Sequence, residues 1–97
     1  DGDVLTLGLE QINVITTPGH SEGGLTYYVP ASGFACVGDT IFDGSIGRTD
    51  LPGGDFETLI DSIKKKIFTL PDETVLFSGH GPSTSVIREK NYNPYVQ

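Results

Sequence analysis

A chain of 97 residues permits one small domain, which buries roughly 60 to 65% of its unfolded surface, and leaves no room for a second. Its 36% apolar and 20% charged content is that of an ordinary globular protein and argues against disorder outside the last few residues. Six basic against thirteen acidic side chains, a net charge of -7, repel phosphate backbones and anionic lipid, which excludes nucleic acid and membrane surfaces as expected partners.

No apolar run approaches the roughly 18 residues of a membrane span, and Asp1-Gly2-Asp3 has neither the basic nor the apolar region of a signal peptide. The single cysteine, Cys36, cannot form an internal disulfide, which fits a reducing compartment and gives a cytoplasmic expectation. A start at Asp and the absence of Met and Trp read as a piece excised from a longer protein.

Val4 to Gly8 and Gln11 to Thr16 alternate apolar and polar residues, with Gly8-Leu9-Glu10 between them at hairpin length, so two antiparallel strands are predicted. Thr17-Pro18-Gly19 breaks the ladder and leaves His20 just past a strand end. Leu25 to Val29 resumes strand composition until Pro30, and Ala31-Ser32-Gly33 turns the chain into Phe34 to Val37, a second hairpin that delivers Asp39. Cys36, alternating with apolar neighbours, is expected as a small buried hydrophobe.

From Thr40 to Gly54 the glycines at 44, 47, 53 and 54 with Pro52 predict a long functional loop. Phe56, Leu59, Ile60, Ile63 and Ile67 then share one helical face over Asp55 to Phe68, with Asp55 as the N-cap. Lys64, Lys65 and Lys66 in its last turns read either as a patch for an anionic ligand or as a solvated helix end. Thr74 to Ser78 is one more strand, followed by Gly79-His80-Gly81-Pro82; Ser83 or Thr84 could cap a short helix through Lys90, and Tyr92 and Tyr95 belong to a frayed tail or cover a ligand groove.

Two imidazoles and one carboxylate, His20, His80 and Asp39, thus each follow a predicted strand and each adjoin glycine. Rigid mounts beside sharply bending backbone are what metal ligands require, and this donor set suits zinc, iron or manganese; ordinary polar turn residues are the bland alternative. Arg48 and Asp50 read as substrate contacts or as an ion pair ordering their loop.

The ordered series Thr17-Pro18-Gly19-His20-Ser21, Gly38-Asp39-Thr40-Ile41-Phe42, Gly44-Ser45-Ile46-Gly47-Arg48-Thr49-Asp50 and Ser78-Gly79-His80-Gly81-Pro82 resembles the metallo-β-lactamase superfamily. Leu51-Pro52-Gly53-Gly54-Asp55 and Thr69-Leu70-Pro71 bring it nearer to the glyoxalase II-like (hydroxyacylglutathione hydrolase-like) branch. The resemblance implies an α/β chain, the carboxy-terminal half of an αββα sandwich, with a mostly antiparallel sheet and two helices in a single partial domain over 1–97. It implies that His20 ligates a first metal, that Asp39 bridges two and carries the catalytic burden, and that His80 ligates the second.

The family's amino-terminal His-x-His-x-Asp-His motif is not in this sequence, which has only His20 and His80. The resemblance therefore implies a parent enzyme that cleaves thioesters of the hydroxyacylglutathione type with a hydroxide held on two zinc ions, iron or manganese being alternatives. The 97 residues by themselves are expected to hold little or no metal, to be inactive, and to self-associate through an uncovered sheet. Two further readings stand beside this one: a mononuclear iron persulfide dioxygenase-like protein, against which His80-Gly81 argues, and a non-catalytic assembly module that keeps the half-fold.

Overall fold

The computed structural model describes residues 2–8 and 10–97. Asp1 and Leu9, the centre of the predicted Gly8-Leu9-Glu10 turn, lie outside the described residues. Strands β1 (Asp3–Leu7), β2 (Glu10–Thr16), β3 (Leu25–Val29) and β4 (Phe34–Gly38) form where alternation and β-branched content predict them, each antiparallel to the one before. The predicted long loop contains a two-stranded ribbon, β5 (Ile41–Phe42) against β6 (Ser45–Ile46), separate from the main sheet.

Helix α1 (Phe56–Ser62) is capped by Asp55, whose carboxylate accepts from the Thr58 N-H at 2.8 Å. It continues as a π-helical turn over Ile63–Ile67, closed by the Phe68 N-H on the Ile63 carbonyl at 2.8 Å. An α-helix drifts past a full turn in four residues, whereas the wider π turn falls short of one. The two offsets oppose, so Leu59, Ile63 and Ile67 all stay on the core side and all are fully buried. Phe56, assigned by periodicity to that face, is instead half exposed and walls a surface groove together with Tyr95.

Strand β7 (Val75–Ser78) pairs parallel with β4, and the short β8 (Thr84–Ser85) pairs antiparallel with β7, completing a six-stranded sheet in the order β1-β2-β3-β4-β7-β8. Helix α2 (Val86–Tyr92) follows, capped by Ser85 rather than by Ser83 or Thr84, and a 3₁₀ turn (Pro94–Val96) ends the chain. The predicted frayed tail is docked: Val96 is 6% exposed in the core, and Gln97 Nε2 donates to the Lys90 and Asn93 carbonyls.

Strand direction decides where the site sits. Antiparallel pairing of β2 with β3 and of β3 with β4, and parallel pairing of β4 with β7, makes β2, β4 and β7 run the same way. Their carboxy-terminal ends, which lead to His20, Asp39 and His80, therefore share one edge of the sheet. That edge is where ligands bind in α/β folds.

The two faces of the sheet differ as strand alternation requires. One carries Thr26, Ala35, Val37 and Leu76 and packs under the helices, with Ile41, Val86 and Val96 filling the layer between. The other carries Leu5, Tyr27, Cys36 and Phe77, which are exposed; Cys36 lies opposite Tyr27 and Phe77. The expectation of a buried Cys36 is thus corrected, since Ala35 and Val37 on either side take the core face. Among the described residues no helix is long and apolar enough to cross a membrane.

Candidate metal centre

The segment after β2 is tied to the helix layer at three points. Lys66 Nζ donates to the Thr16 carbonyl at 2.8 Å, Ser62 Oγ to the Pro18 carbonyl at 2.7 Å, and the Asp55 N-H to the Gly19 carbonyl at 2.7 Å. Lys66 is therefore a tether of the His20 segment. Gly19 allows the approach, because a Cβ there would lie 2.2 Å from the Leu59 Cα.

Asp39 follows β4 directly, and the Gly79 N-H donates to the Gly38 carbonyl at 2.9 Å, bringing the Asp39 and His80 segments side by side. Gly47 threads between Asp39 and His20: a Cβ there would lie 2.0 Å from the Asp39 carbonyl oxygen and 3.2 Å from the His20 Cβ. The structure thus brings together all three residues singled out in the sequence, in one cleft with Phe42, Gly47 and Arg48.

His20 Nδ1 lies 2.8 Å from the Arg48 carbonyl oxygen, which can only accept, so Nδ1 carries the proton and donates it. The other ring nitrogen, Nε2, faces Asp39 Oδ2 at 3.7 Å and is the atom left to offer a lone pair to a cation. His80 Nε2 stands 3.7 Å from the other oxygen, Oδ1. The His80 ring is stacked on Phe42 with centroids 6.3 Å apart, and its carbonyl accepts from Ser78 Oγ; its side chain is 81% exposed, against 30% for His20.

Both nitrogen-to-oxygen gaps are too long for direct hydrogen bonds. Donors about 2.0 to 2.2 Å from one tetrahedral ion stand about 3.3 to 3.6 Å apart across it, so each 3.7 Å gap is close to the width that brackets a cation. Among the described residues no three His, Cys, Asp or Glu side chains converge on a single point; the donors form two pairs that share Asp39. The set fits metal as two incomplete halves, each short of the four donors a closed site needs.

Arg48 and Asp50 do not reach into this cleft as free charges. Arg48 Nε and a terminal nitrogen donate to the two Asp50 oxygens at 2.8 and 3.0 Å, a bidentate pair. These hydrogen bonds first, and the charge attraction with them, raise the Arg48 pKa; the same hydrogen bonds, then one from the Asp50 backbone, lower that of Asp50. An adjoining groove of about 360 Å³ shares Gly47 and Arg48 with the cleft and is walled by Phe56 and Tyr95, residues that are 50% and 52% exposed.

Sequence reading missed a buried hydroxyl cluster behind the site, in which Thr17 Oγ1 lies 3.0 Å from Thr26 Oγ1 and 3.4 Å from Thr40 Oγ1. The signal available was that Thr17 and Thr40 each flank a candidate ligand motif. It also missed the roles of Phe42, of the buried Glu89 on the predicted short helix, and of the buried Asn93 just past that helix, since nothing local reveals what they touch.

Residues 1–80 match the metallo-beta-lactamase superfamily (Lactamase_B). The chain is 47% identical over 96 residues to the probable metallo-hydrolase YqgX of Bacillus subtilis (strain 168), and 38% identical over 96 residues to the hydroxyacylglutathione hydrolase GloC of Haemophilus influenzae. Each alignment covers 99% of this chain, which spans only 45% of either relative.

Among solved structures, the BLEG-1 B3 metallo-beta-lactamase superposes with a TM-score of 0.94 at 45% identity, over 97% of this chain and 45% of that one. ETHE1 from Myxococcus xanthus gives 0.90 at 35% identity, over 96% of this chain and 42% of that one. TTHA1623 in a di-iron-bound form gives 0.84 at 42% identity, over 87% and 42% respectively.

Proposed function

The chain belongs to the metallo-beta-lactamase superfamily, and from that premise we propose that His20, Asp39 and His80 are its share of a dinuclear metal centre in a thioester-cleaving hydrolase. The observation that carries this reading is the pairing of each imidazole Nε2 with a different oxygen of Asp39 at 3.7 Å. One carboxylate offering one oxygen to each of two nitrogens is the arrangement of a bridge between two ions. The hydroxyacylglutathione hydrolase among the relatives supports the substrate class, and the di-iron neighbour supports two metals. Zinc is the ion proposed; iron or manganese would accept the same donors.

Metal bound here would supply a water of lowered pKa and polarise the substrate carbonyl. The chain's own residues prepare the place. The Arg48 carbonyl holds the His20 tautomer and ring orientation, a second-layer contact of the kind that tunes metal ligands. Phe42 backs His80, and Gly47 leaves Asp39 and His20 close together. Arg48, neutralised by Asp50, shapes the loop, while Phe56 and Tyr95 offer apolar surface to the body of a substrate in the adjoining groove.

One observation favours a second reading. Among the described residues the His20 ring is fixed by a hydrogen bond, whereas His80 is exposed and held by stacking, as suits a single well-built metal position in a mononuclear iron persulfide dioxygenase-like protein. Metal analysis of the full-length protein separates the two. Two metals per chain with hydrolysis of a hydroxyacylglutathione thioester are expected, and Asp39→Ala should lower that activity at least about 100-fold. One iron per chain with sulfur-dependent oxygen uptake overturns the hydrolase reading. For the 97 residues by themselves we propose little metal occupancy, no turnover, and self-association through the open sheet face.

A further inference from the structure

Glu89 touches none of the three proposed ligands, yet it is the most deeply buried ionisable group among the described residues, at 1% exposure. A buried carboxylate persists only where hydrogen bonds replace its water. The Gly44 N-H at 3.0 Å and Asn93 Nδ2 at 2.8 Å donate to Oε1, and the Thr84 hydroxyl donates to Oε2. Asn93, itself fully buried, donates its other amide proton to the Ser45 carbonyl at 2.9 Å. Arg88, on the solvent side, pairs with Asp43 at 2.9 Å. Three successive residues, Asp43, Gly44 and Ser45, are thus pinned by three residues at the end of the chain, Arg88, Glu89 and Asn93.

The pinned turn joins β5 to β6, and this ribbon with the two residues that follow it reaches every proposed ligand. Phe42 on β5 stacks on His80, Gly47 after β6 lies against Asp39 and His20, and the Arg48 carbonyl holds His20 Nδ1. We propose that Glu89, with Asn93 and Arg88, is a positioning anchor that fixes the His20 ring by holding the ribbon in register. This inference rests on the metal reading above. A merely structural Glu89 would lower the stability of the fold and leave the His20 ring as it is in the molecules that remain folded.

The test uses the full-length protein, prepared metal-free at one fixed pH, and follows solvent exchange of the His20 Nδ1 proton by NMR together with cobalt(II) titration read by visible absorption. Glu89→Ala is expected to speed the exchange at least about 10-fold, to weaken cobalt binding by about 10-fold, and to alter its absorption bands. Glu89→Gln retains Oε1 as acceptor for Gly44 and Asn93 and should restore most of both. Lys90→Ala, which removes a neighbouring ion pair to Asp72, should move neither.

A folded Glu89→Ala protein with unchanged exchange and cobalt affinity overturns the anchor. Should Glu89→Ala not fold, Arg88→Ala, altered at an exposed side chain, is expected to speed the exchange about 3-fold, and an unchanged rate overturns the anchor in the same way. A wild type that takes up no cobalt overturns the metal reading, while the exchange rates still decide the anchor.

Discussion

Asp39 and His20 can stand as they do because the residue between their segments has no side chain. A methyl group at Gly47 would start 2.0 Å from a backbone oxygen, and backbone cannot rotate aside as a flexible side chain can. Gly47→Ala must therefore move the Arg48 carbonyl off His20 Nδ1 or push the Asp39 loop outward. In the full-length protein it is expected to weaken metal binding at least about 10-fold while far-ultraviolet circular dichroism stays unchanged. Wild-type affinity in that variant would show that the close approach is dispensable.

Helix α1 and its π-helical extension do more than cover the sheet. Asp55 at one end caps the helix and donates its own N-H to Gly19, so the cap and the His20 segment depend on the same residue. Hydrogen bonds from the Thr58 hydroxyl and N-H hold the Asp55 carboxyl below its ordinary value of 3.8. A folded-state pKa that is depressed contributes stability that is present above the unfolded value and is lost as pH falls through the folded one. Asp55→Ala is accordingly expected to lower the thermal midpoint by several degrees at pH 7, with the gap from wild type closing once the pH drops below 3.8 and on through the lowered value. A gap that is the same in strong acid would remove the charged cap from the explanation.

At the scale of the molecule, the sheet has one covered face and one open one, and the open face presents Tyr27, Cys36 and Phe77 in adjacent register across three strands. Apolar surface of this kind, free of charged side chains at its centre, is closed by association when nothing else covers it. The 97 residues expressed by themselves are expected to sediment as a dimer or larger species, and Phe77→Lys, placed on a residue already 47% exposed, should return them toward monomer without loss of the fold. Monomer alone at high concentration would remove the open face as an interface.

The sequence by itself determined strands β1 to β4 and β7, the Asp55 cap, the three candidate ligands and the family resemblance, because each is written in short-range pattern: alternation, capping chemistry, and motifs of adjacent residues. It also carried the expectation of an apolar face without a cover. What it left open depends on contacts between distant segments. Alternation shows that Cys36 and Val37 face opposite ways but not which way is in; packing of α1 on one side decided that. Periodicity set Phe56 on the helical face but could not show that it walls an open groove with Tyr95. Tertiary structure alone decided that β7 lies parallel to β4, and so that His80 meets Asp39 at the same sheet edge as His20. It alone joined Glu89 to Gly44 across 45 residues, because a buried carboxylate must find its donors wherever the folded chain places them.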